Sequence, residues 1–517
     1  MRALALAVFV GFFATAAASA QQITIAQGTL AGTTDGAISV FKDIPFAAPP
    51  VGDLRWRAPQ PAPAWTGTRD ASQFGPICPQ APRLPGGFHE QHPQSEDCLT
   101  ANVWTPSTAG KLPVMVWIHG GAFRTGGAAN SLYDGSELAR HGVVVVTFNY
   151  RLGWLGFLDL PALAAEHPDE PHGNYGLMDQ IAALQWVRRN IAAFGGDPDN
   201  VTIFGESAGG MSVNDLMVSP PARGLFARAI SESGLGLINT PSEADAQALG
   251  AAFAQKMGAG DETGADELKT LRARSVYSIT QAEPDTDAGG MSPMIDGTIV
   301  PGGVARLFSE GKIAHAAYMA GSNSDEATLM RYLGMTDESL LKPLGDRAAQ
   351  VRKIYEAGGA LDDDSFVREL FNDALFASGA QSFADYVAKA GNSGYVYNFR
   401  YLADALRGRM PGVSHGGELI YVFGLHGLAN TPLGARLASR ATDKDKAVVA
   451  MVQSYWTNFA RTGNPNGPGL PQWPQSSAAS EQTLVIDDGT QAVSGYLAAR
   501  LAVVYAGWYA RTGLAAP

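Results

Sequence analysis

A Gly-x-Ser-x-Gly pentapeptide at residues 205–209 is the feature that most constrains how this chain can fold. It follows the apolar run Val201–Phe204, and a helix-compatible stretch, Met211–Met217, comes after it. A strand, a sharp turn and a helix form a nucleophile elbow, in which glycines on both sides of the serine avoid steric clashes. The turn exposes the serine Oγ at the carboxyl end of a sheet, above a helix N-terminus. The sequence therefore predicts that Ser207 is the nucleophile of an acyl transfer.

Glycine is abundant in this chain, so the pentapeptide alone is a moderate signal. With 60 glycines in 517 residues, the Gly-x-Ser-x-Gly pattern can also arise in an ordinary loop whose serine has no catalytic role. The strand before the motif and the helix after it favour the elbow over that alternative.

Residues 1–20 have the three regions of a secretory signal peptide. Arg2 supplies a positive charge, residues 3–17 are apolar, and Ala18-Ser19-Ala20 is a small-residue cleavage site. The apolar stretch is too short to span a bilayer comfortably, which argues against stable membrane insertion. We therefore expect a secreted or periplasmic protein whose mature chain, 21–517, forms a single domain.

The net charge and the short sequence motifs limit which classes of partner, metal and cofactor the chain is expected to bind. The formal charge of −12 without basic clusters argues against nucleic acid and anionic membranes as partners. Neither Cys-x-x-Cys nor His-Glu-x-x-His occurs, so the sequence predicts no metal site, and we expect no cofactor. The two cysteines of an exported chain, Cys78 and Cys98, suggest a disulfide, with two buried thiols as the alternative. The oligomeric state does not follow from the sequence.

Apolar runs alternate with amphipathic stretches, which predicts an α/β fold with a mainly parallel sheet and helices on both faces. The segment Ser242–Asp287 is acidic and alanine-rich without strand candidates, and is predicted to be a helical excursion above the sheet. Helical spacing predicts helices over Asp179–Phe194 and Asp443–Phe459. The predicted strands are Leu112–Ile118, Val143–Phe148, Val201–Phe204, Ala227–Ser231, Ala317–Ala320, Tyr395–Phe399 and Thr483–Ile486.

A serine hydroxyl becomes a strong nucleophile when a histidine takes its proton and a carboxylate orients that histidine. In elbow enzymes the chain order is serine, acid, histidine. Glu326 follows a predicted strand, where α/β sites are built. Of the histidines beyond Ser207, His315 precedes Glu326, which leaves His415 and His426. His415 lies in a glycine-rich polar loop and His426 among apolar residues, so the sequence favours His415 as the base.

The predicted oxyanion hole consists of backbone N–H groups. The segment His119–Phe123 follows the strand Leu112–Ile118, and its two glycines allow the backbone to approach a substrate closely. Gly120, Gly121 and Ala208 are the three candidate donors, and a plain Gly-Gly turn is the alternative.

Taken together, these motifs resemble the type-B carboxylesterase and cholinesterase family of α/β-hydrolases, from about Thr29 to about Tyr505. The resemblance implies an α/β-hydrolase fold with helical excursions above the site. It also implies that Ser207 is the nucleophile, Glu326 the acid and His415 the base. The motifs are Glu96–Val103, His119–Phe123, Asn174–Gln180, the elbow, Asp325-Glu326 and Gly412–His415.

The resemblance also implies roles for further residues. It implies that Ser233 supports the acid, with a strand-end cap as the alternative. Phe88 stands where cholinesterases carry a tryptophan that binds quaternary ammonium, and Gly289 and Gly290 stand where acetylcholine-specific members present aromatic walls. These three residues are candidate substrate-pocket positions, and the alternative for Gly289 and Gly290 is a loop that lies away from the pocket. The resemblance also implies a Cys78–Cys98 disulfide and the ion pairs Arg55–Glu96 and Arg151–Asp179.

Two functions from different classes fit this sequence. The first is a serine carboxylesterase that forms an acyl-enzyme on Ser207 and acts on a small-molecule ester. The second is a non-catalytic recognition protein on a cholinesterase-like fold. The presence of Ser207, Glu326 and His415 favours the esterase, because a binding module does not need all three. The natural ester does not follow from the sequence.

Overall fold

A computed structural model describes residues 21–81, 92–282, 291–425, 435, 438–514 and 517 of the chain. Fourteen strands lie within these residues, and eleven of them form one sheet. The strands are β1 (Gln22–Ile25), β2 (Gly28–Ala31), β3 (Thr33–Asp35), β4 (Ile38–Pro45), β5 (Thr68–Asp70), β6 (Thr100–Thr105), β7 (Leu112–Ile118), β8 (Val144–Phe148), β9 (Gly196–Glu206), β10 (Arg228–Glu232), β11 (Ala317–Asn323), β12 (Gly394–Phe399), β13 (Gln482–Ile486) and β14 (Gln491–Ser494).

The large sheet has a parallel centre with antiparallel edges. Its strand order is β14-β13-β12-β11-β10-β9-β7-β8-β6-β4-β3, and every neighbouring pair from β13 to β8 is parallel. The pairs beyond β8 and the β13–β14 pair are antiparallel. Strands β1, β2 and β5 form a separate small sheet. The predicted mainly parallel sheet is confirmed.

Successive residues of β7 pack into two different cores, which shows that both faces of the sheet are covered. Val114 and Val116 belong to a core that includes the helix Tyr175–Asn190. Met115 and Trp117 belong to another core that includes the helix Asp443–Thr462. A strand buried on both faces is apolar throughout rather than alternating, which is why the run was visible in the sequence.

The α-helices lie mostly between the parallel strands, as crossover connections require. The predicted helix over Asp179–Phe194 begins four residues earlier, at Tyr175, and its last turn is a 3₁₀ helix. The α-helices whose bounds lie wholly within the described residues are Ser136–Arg140, Gly153–Phe157, Pro161–Glu166, Tyr175–Asn190, Ala208–Val218, Glu243–Lys256, Gly264–Arg272, Val276–Thr280, Val304–Ser309, Asp337–Leu341, Ala348–Tyr355, Asp363–Asn372, Ser378–Lys389, Leu419–Val422, Asp443–Thr462 and Ala498–Thr512.

The predicted helical excursion is helical as far as it is described. Ser242 begins it with a capping box, in which its side chain and that of Asp245 bond each other's backbone N–H groups. Three helices follow up to Thr280, and no strand occurs between Ser242 and Ala282. Residues 283–290 of the excursion lie outside the described residues.

The carboxyl ends of the parallel strands meet at one edge of the sheet, and this arrangement positions the site. The segments that leave β7, β9, β10 and β11 there begin with His119, Ser207, Ser233 and Ser324, two residues before Glu326. Within the described part of the chain, no helix combines the length and apolar character needed to cross a membrane.

Candidate active site

Ser207 occupies a backbone conformation that few non-glycine residues adopt. Its φ is 57° and its ψ is −123°, between β9 and the helix Ala208–Val218. The two glycines of the pentapeptide are required by close backbone packing. A Cβ on Gly205 would lie 2.6 Å from the carbonyl oxygen of Gly209, and a Cβ on Gly209 would lie 2.0 Å from that of Ile118. The turn at Ser207 has the shape of an elbow, and such a conformation costs about 1–3 kcal/mol.

The loop after β7 packs directly against this turn. A Cβ on Gly120 would lie 3.1 Å from Ser207 Cβ and 2.7 Å from the carbonyl oxygen of Glu206, so only glycine fits. Gly121 has a φ of 108°, which also favours glycine. Ala208 is the first residue of the elbow helix, where an N–H has no intrahelical partner. The three predicted oxyanion donors therefore lie on the two backbone segments that meet at Ser207.

His119 fixes the orientation of the peptide between Gly120 and Gly121. Its Nδ1 lies 2.8 Å from the carbonyl oxygen of Gly120. A carbonyl oxygen only accepts, so Nδ1 carries the proton. Burial lowers the pKa of His119 to about 4, and its ring stacks on Tyr150. The ring is therefore neutral, and because the peptide is trans, the Gly121 N–H points away from it.

Glu326 and His415 are in direct contact. His415 Nδ1 lies 2.6 Å from Glu326 Oε2, and the Glu326 side chain is fully buried. The other carboxylate oxygen, Oε1, accepts hydrogen bonds from Ser233 Oγ at 2.7 Å and from the backbone N–H of Asn323 at 2.6 Å. Both oxygens of Glu326 are thus occupied, which holds the carboxylate in one orientation toward the imidazole.

Glu206, the first of the two variable residues of the pentapeptide, is a neighbour of His415 that the sequence argument missed. Its Oε1 lies 3.0 Å from His415 Nε2, and neither atom has a hydrogen-bond partner among the described residues. Burial alone would lower the pKa of His415. The carboxylates of Glu206 and Glu326 outweigh that effect and raise the pKa well above its usual value. The sequence places Glu206 next to Ser207 but carries no sign of its contact with His415.

Two further buried carboxyl groups lie behind this cluster. Burial, together with the charge of Glu206, raises the pKa of Glu418 to about 8. Burial, together with the charge of Glu418, also raises the pKa of Glu232. Trp456 Nε1 donates to Glu232 Oε1 at 2.7 Å, while Glu232 Oε2 and Glu418 Oε1 have no partner among the described residues. Buried carboxyl groups of this kind are favoured in the protonated form.

Asp325, the alternative acid next to Glu326, bonds an arginine and not the histidine. Both its oxygens accept from Arg368 Nη2, at 2.5 and 2.6 Å. The geometry therefore distinguishes the two adjacent acids.

A π-helical turn, Asp373–Ala377, brings Phe376 to His415, with 5.4 Å between the ring centroids.

Several predicted residues have structural roles or lie outside the described residues. Cys78 and Cys98 form the implied disulfide. Phe88, Gly289 and Gly290, the candidate pocket positions, lie outside the described residues, as does His426. Both implied ion pairs are present, Arg55–Glu96 at 2.7 Å and Arg151–Asp179 at 2.7 Å.

A group of potential metal ligands occurs elsewhere in the chain. Asp159, His172 and Glu243 lie close together. His172 Nδ1 is 2.7 Å from Asp159 Oδ1, and Nε2 is 4.0 Å from Glu243 Oε1. The two carboxylates face opposite ring nitrogens, an arrangement that suits a charged bridge better than a shared ion. The hydrogen bond to Asp159 raises the pKa of His172. The expected absence of a metal remains a prediction.

A mixed, mainly parallel sheet with an elbow serine and a Glu–His pair at its carboxyl edge defines an α/β-hydrolase. The chain belongs to the carboxylesterase family, whose model matches residues 19–504. The family resemblance seen in the sequence is thus confirmed.

Similar proteins cover most of the chain. A para-nitrobenzyl esterase of Bacillus subtilis (strain 168) is 38% identical over 90% of this chain and 95% of its own. A fumonisin B1 esterase of Sphingopyxis macrogoltabida is 37% identical over 89% of this chain and 85% of its own. The solved structure of a Geobacillus stearothermophilus carboxylesterase has a TM-score of 0.78 at 31% identity and covers 94% of this chain and 99% of its own. The protein is a carboxylic ester hydrolase.

Proposed function

We propose that this protein is an exported serine carboxylesterase that works through an acyl-enzyme on Ser207, with His415 as base and Glu326 as acid. The observation that carries the proposal is the 2.6 Å contact between His415 Nδ1 and Glu326. With Nδ1 directed at the carboxylate, Nε2 is the nitrogen left to take the Ser207 proton.

In the proposed reaction Ser207 Oγ attacks the ester carbonyl carbon while His415 takes the hydroxyl proton. Glu326 stabilises the imidazolium, and the N–H groups of Gly120, Gly121 and Ala208 bind the oxyanion. The imidazolium returns the proton to the departing alcohol. Water then repeats the sequence on the acyl-enzyme and releases the carboxylic acid, leaving Ser207 free.

Replacing the nucleophile tests this assignment. We expect Ser207→Ala to abolish hydrolysis of short p-nitrophenyl and p-nitrobenzyl esters while the protein stays folded, because it removes only the hydroxyl oxygen. The matched control is Ser454→Ala, which removes a hydroxyl that bonds the backbone of the helix Asp443–Thr462. Mass spectrometry after treatment with a phosphonate ester should place the adduct on Ser207. Full activity of Ser207→Ala, or an adduct on another residue, would refute the assignment.

Export is the second part of the proposal and rests on residues 1–20. It is tested by expressing the whole chain in a Gram-negative host and sequencing the N-terminus of the active fraction. A mature chain that begins at Gln21 in the periplasm or medium is expected. Activity confined to the cytoplasm with residues 1–20 retained would contradict it.

A further inference from the structure

The loop that carries Glu326 has a backbone donor that its own turn leaves unbonded. Glu326 begins a 3₁₀ turn, Glu326–Leu329, and Ala327 is the second residue of that turn. N–H groups at the start of a helical turn have no partner within the turn. Asp325 occupies the N-cap position, but its carboxylate bonds Arg368 rather than the turn. The N–H of Ala327 therefore depends on an acceptor from elsewhere in the chain.

The side chain of Asn372 supplies this acceptor, and it bonds the loop at two points. Its Oδ1 accepts from the backbone N–H of Ala327 at 3.0 Å, and its Nδ2 donates to the backbone carbonyl oxygen of Ser324 at 2.9 Å. These two residues stand immediately before and after the pair Asp325-Glu326 in the chain. A planar amide that both donates and accepts in this way fixes the backbone that carries Glu326 in orientation as well as in position.

Asn372 is itself held in place by its surroundings. It is 7% exposed and is the last residue of the helix Asp363–Asn372. Phe371 and Phe376, its neighbours in the chain, belong to the same hydrophobic core as Ala327 of the acid loop. The helix and the loop thus share one core, so a displacement of the amide would disturb close-packed side chains.

The same helical segment also contacts the base. Phe376 follows Asn372 by four residues, and residues four apart lie on one side of a helix. The Phe376 ring packs against that of His415, with 5.4 Å between the ring centroids. One segment therefore contacts the backbone around the acid through a polar side chain and the ring of the base through an aromatic one.

We propose that Asn372 is a positioning residue for ester hydrolysis, which holds the Glu326 carboxylate against His415. It acts on the backbone of the acid loop and not on the reacting atoms. The contact between His415 Nδ1 and Glu326 is 2.6 Å long, and a displacement of about 1 Å in a catalytic group lowers the rate by up to about 100-fold. The inference rests on the roles proposed above for Glu326 and His415.

Two variants of Asn372 in the whole protein test the proposal. Asn372→Ala removes both hydrogen bonds, and Asn372→Leu removes them while filling the space of the amide, which excludes a cavity as the cause. We expect kcat for p-nitrophenyl acetate to fall by roughly 10–100-fold in both. KM should stay within about twofold, because formation and hydrolysis of the acyl-enzyme both use His415 and slow together. Urea unfolding establishes that each variant is folded under the assay conditions.

The matched control is Asn466→Ala, in the loop after the helix Asp443–Thr462. Asn466 Oδ1 accepts from the backbone N–H of Trp473 at 2.7 Å, and its Nδ2 donates to the backbone carbonyl oxygen of Trp473 at 2.9 Å. The variant therefore loses the same two kinds of hydrogen bond as Asn372→Ala does. It should keep the parental kcat.

A double-mutant cycle shows whether Asn372 acts through Glu326. In the Glu326→Gln background, Asn372→Ala should lower kcat further by less than about threefold, because the charge that it positions is already gone. An equal fold-loss of kcat in the two backgrounds would reveal a general structural effect and overturn the proposal. A parental kcat in the Asn372 variants would also overturn it. A parental kcat in Glu326→Gln alone would instead refute the role of Glu326, and the inference would fall with it.

Discussion

His415 Nε2 lies 3.0 Å from Oε1 of Glu206, the residue that precedes Ser207 in the chain. The imidazole thus lies between two carboxylates, because Glu326 contacts its other nitrogen at 2.6 Å. Two anions around one ring stabilise the imidazolium strongly, and the consequence is a pH dependence that differs from that of an isolated histidine.

The first prediction is an alkaline activity profile. A base must be neutral to take a proton, and the raised pKa of His415 keeps it protonated to a higher pH. Activity should therefore rise with pH through a midpoint above about 6.5, the ordinary histidine value, and fall as the pH drops below that midpoint. The measurement is kcat/KM from pH 5 to 10 with a neutral ester. A midpoint below about 6.5 would contradict the prediction.

The second prediction isolates the contribution of Glu206. Glu206→Gln keeps the side-chain shape and removes one of the two anions, so the midpoint should move to lower pH. The pH profile of Glu310→Gln serves as the control, because Glu310 pairs with Lys312 on the surface. An unchanged midpoint in Glu206→Gln would show that the carboxylate does not act on His415.

The third prediction separates the two adjacent acids. Glu326→Gln should lower kcat by roughly 10³–10⁴-fold, as expected when the residue that orients the base loses its charge. Asp325→Asn should have a much smaller effect, since that carboxylate bonds Arg368. The two variants are matched in chemistry and differ by one position. A larger loss in Asp325→Asn would assign the acid to Asp325 instead.

The fourth prediction concerns Gly120. A methyl group there would meet Ser207 and the backbone of Glu206, so Gly120→Ala should displace the loop that carries the proposed oxyanion donors. Loss of one such donor lowers kcat by roughly 10²–10³-fold. Gly489→Ala is the control, because the nearest contact of its added methyl group is 3.9 Å away. Steady-state kinetics of the two variants measure this loss. A parental kcat in Gly120→Ala would exclude the proposed role of this loop in binding the oxyanion.

The fifth prediction concerns stability. The folded-state pKa of His172 is raised by its hydrogen bond to Asp159. Its stabilisation is thus fully present below about pH 6.5 and is lost as the pH rises through the folded-state pKa. His172→Gln should lower the free energy of unfolding by about 1 kcal/mol at pH 5.5, and by less at pH 9. Urea unfolding of both proteins at the two pH values measures this. An equal loss at both would show that charge is not involved.

Substrate preference remains a prediction from the sequence. With Phe88 in place of a tryptophan, cation–π binding of quaternary ammonium should be weaker, and choline esters should be poor substrates. With Gly289 and Gly290 in place of aromatic walls, bulky acyl groups should be accepted. A kcat/KM series from acetyl to butyryl to benzoyl esters tests this. Efficient turnover of acetylcholine, or a steep preference for acetyl, would contradict it.

What could be predicted from the sequence depended on how local the information was. The strand β7 and the turn at Ser207 follow from short patterns, namely a continuous apolar run and two flanking glycines. Strand β3 escaped notice because none of its residues, Thr33–Asp35, is buried, so it has no apolar pattern. Chain order and family resemblance together led to Glu326 and His415, and the structure places them in contact.

The contacts behind the site could not be predicted in this way. Glu206 reaches His415 across more than 200 residues of sequence, and no spacing rule connects the two. The π-helical turn that presents Phe376 results from an extra residue in a helix, which helical periodicity does not reveal. These relationships depend on tertiary packing.

The hydrogen bond from Trp456 to Glu232 joins residues 224 positions apart. During synthesis Ser207, Glu326 and His415 are all complete before Trp456 leaves the ribosome. Until the helix Asp443–Thr462 docks, Glu232 lacks the donor that it has in the finished protein. A nascent chain therefore contains every proposed catalytic residue before Glu232, buried behind them, can acquire its hydrogen-bond donor.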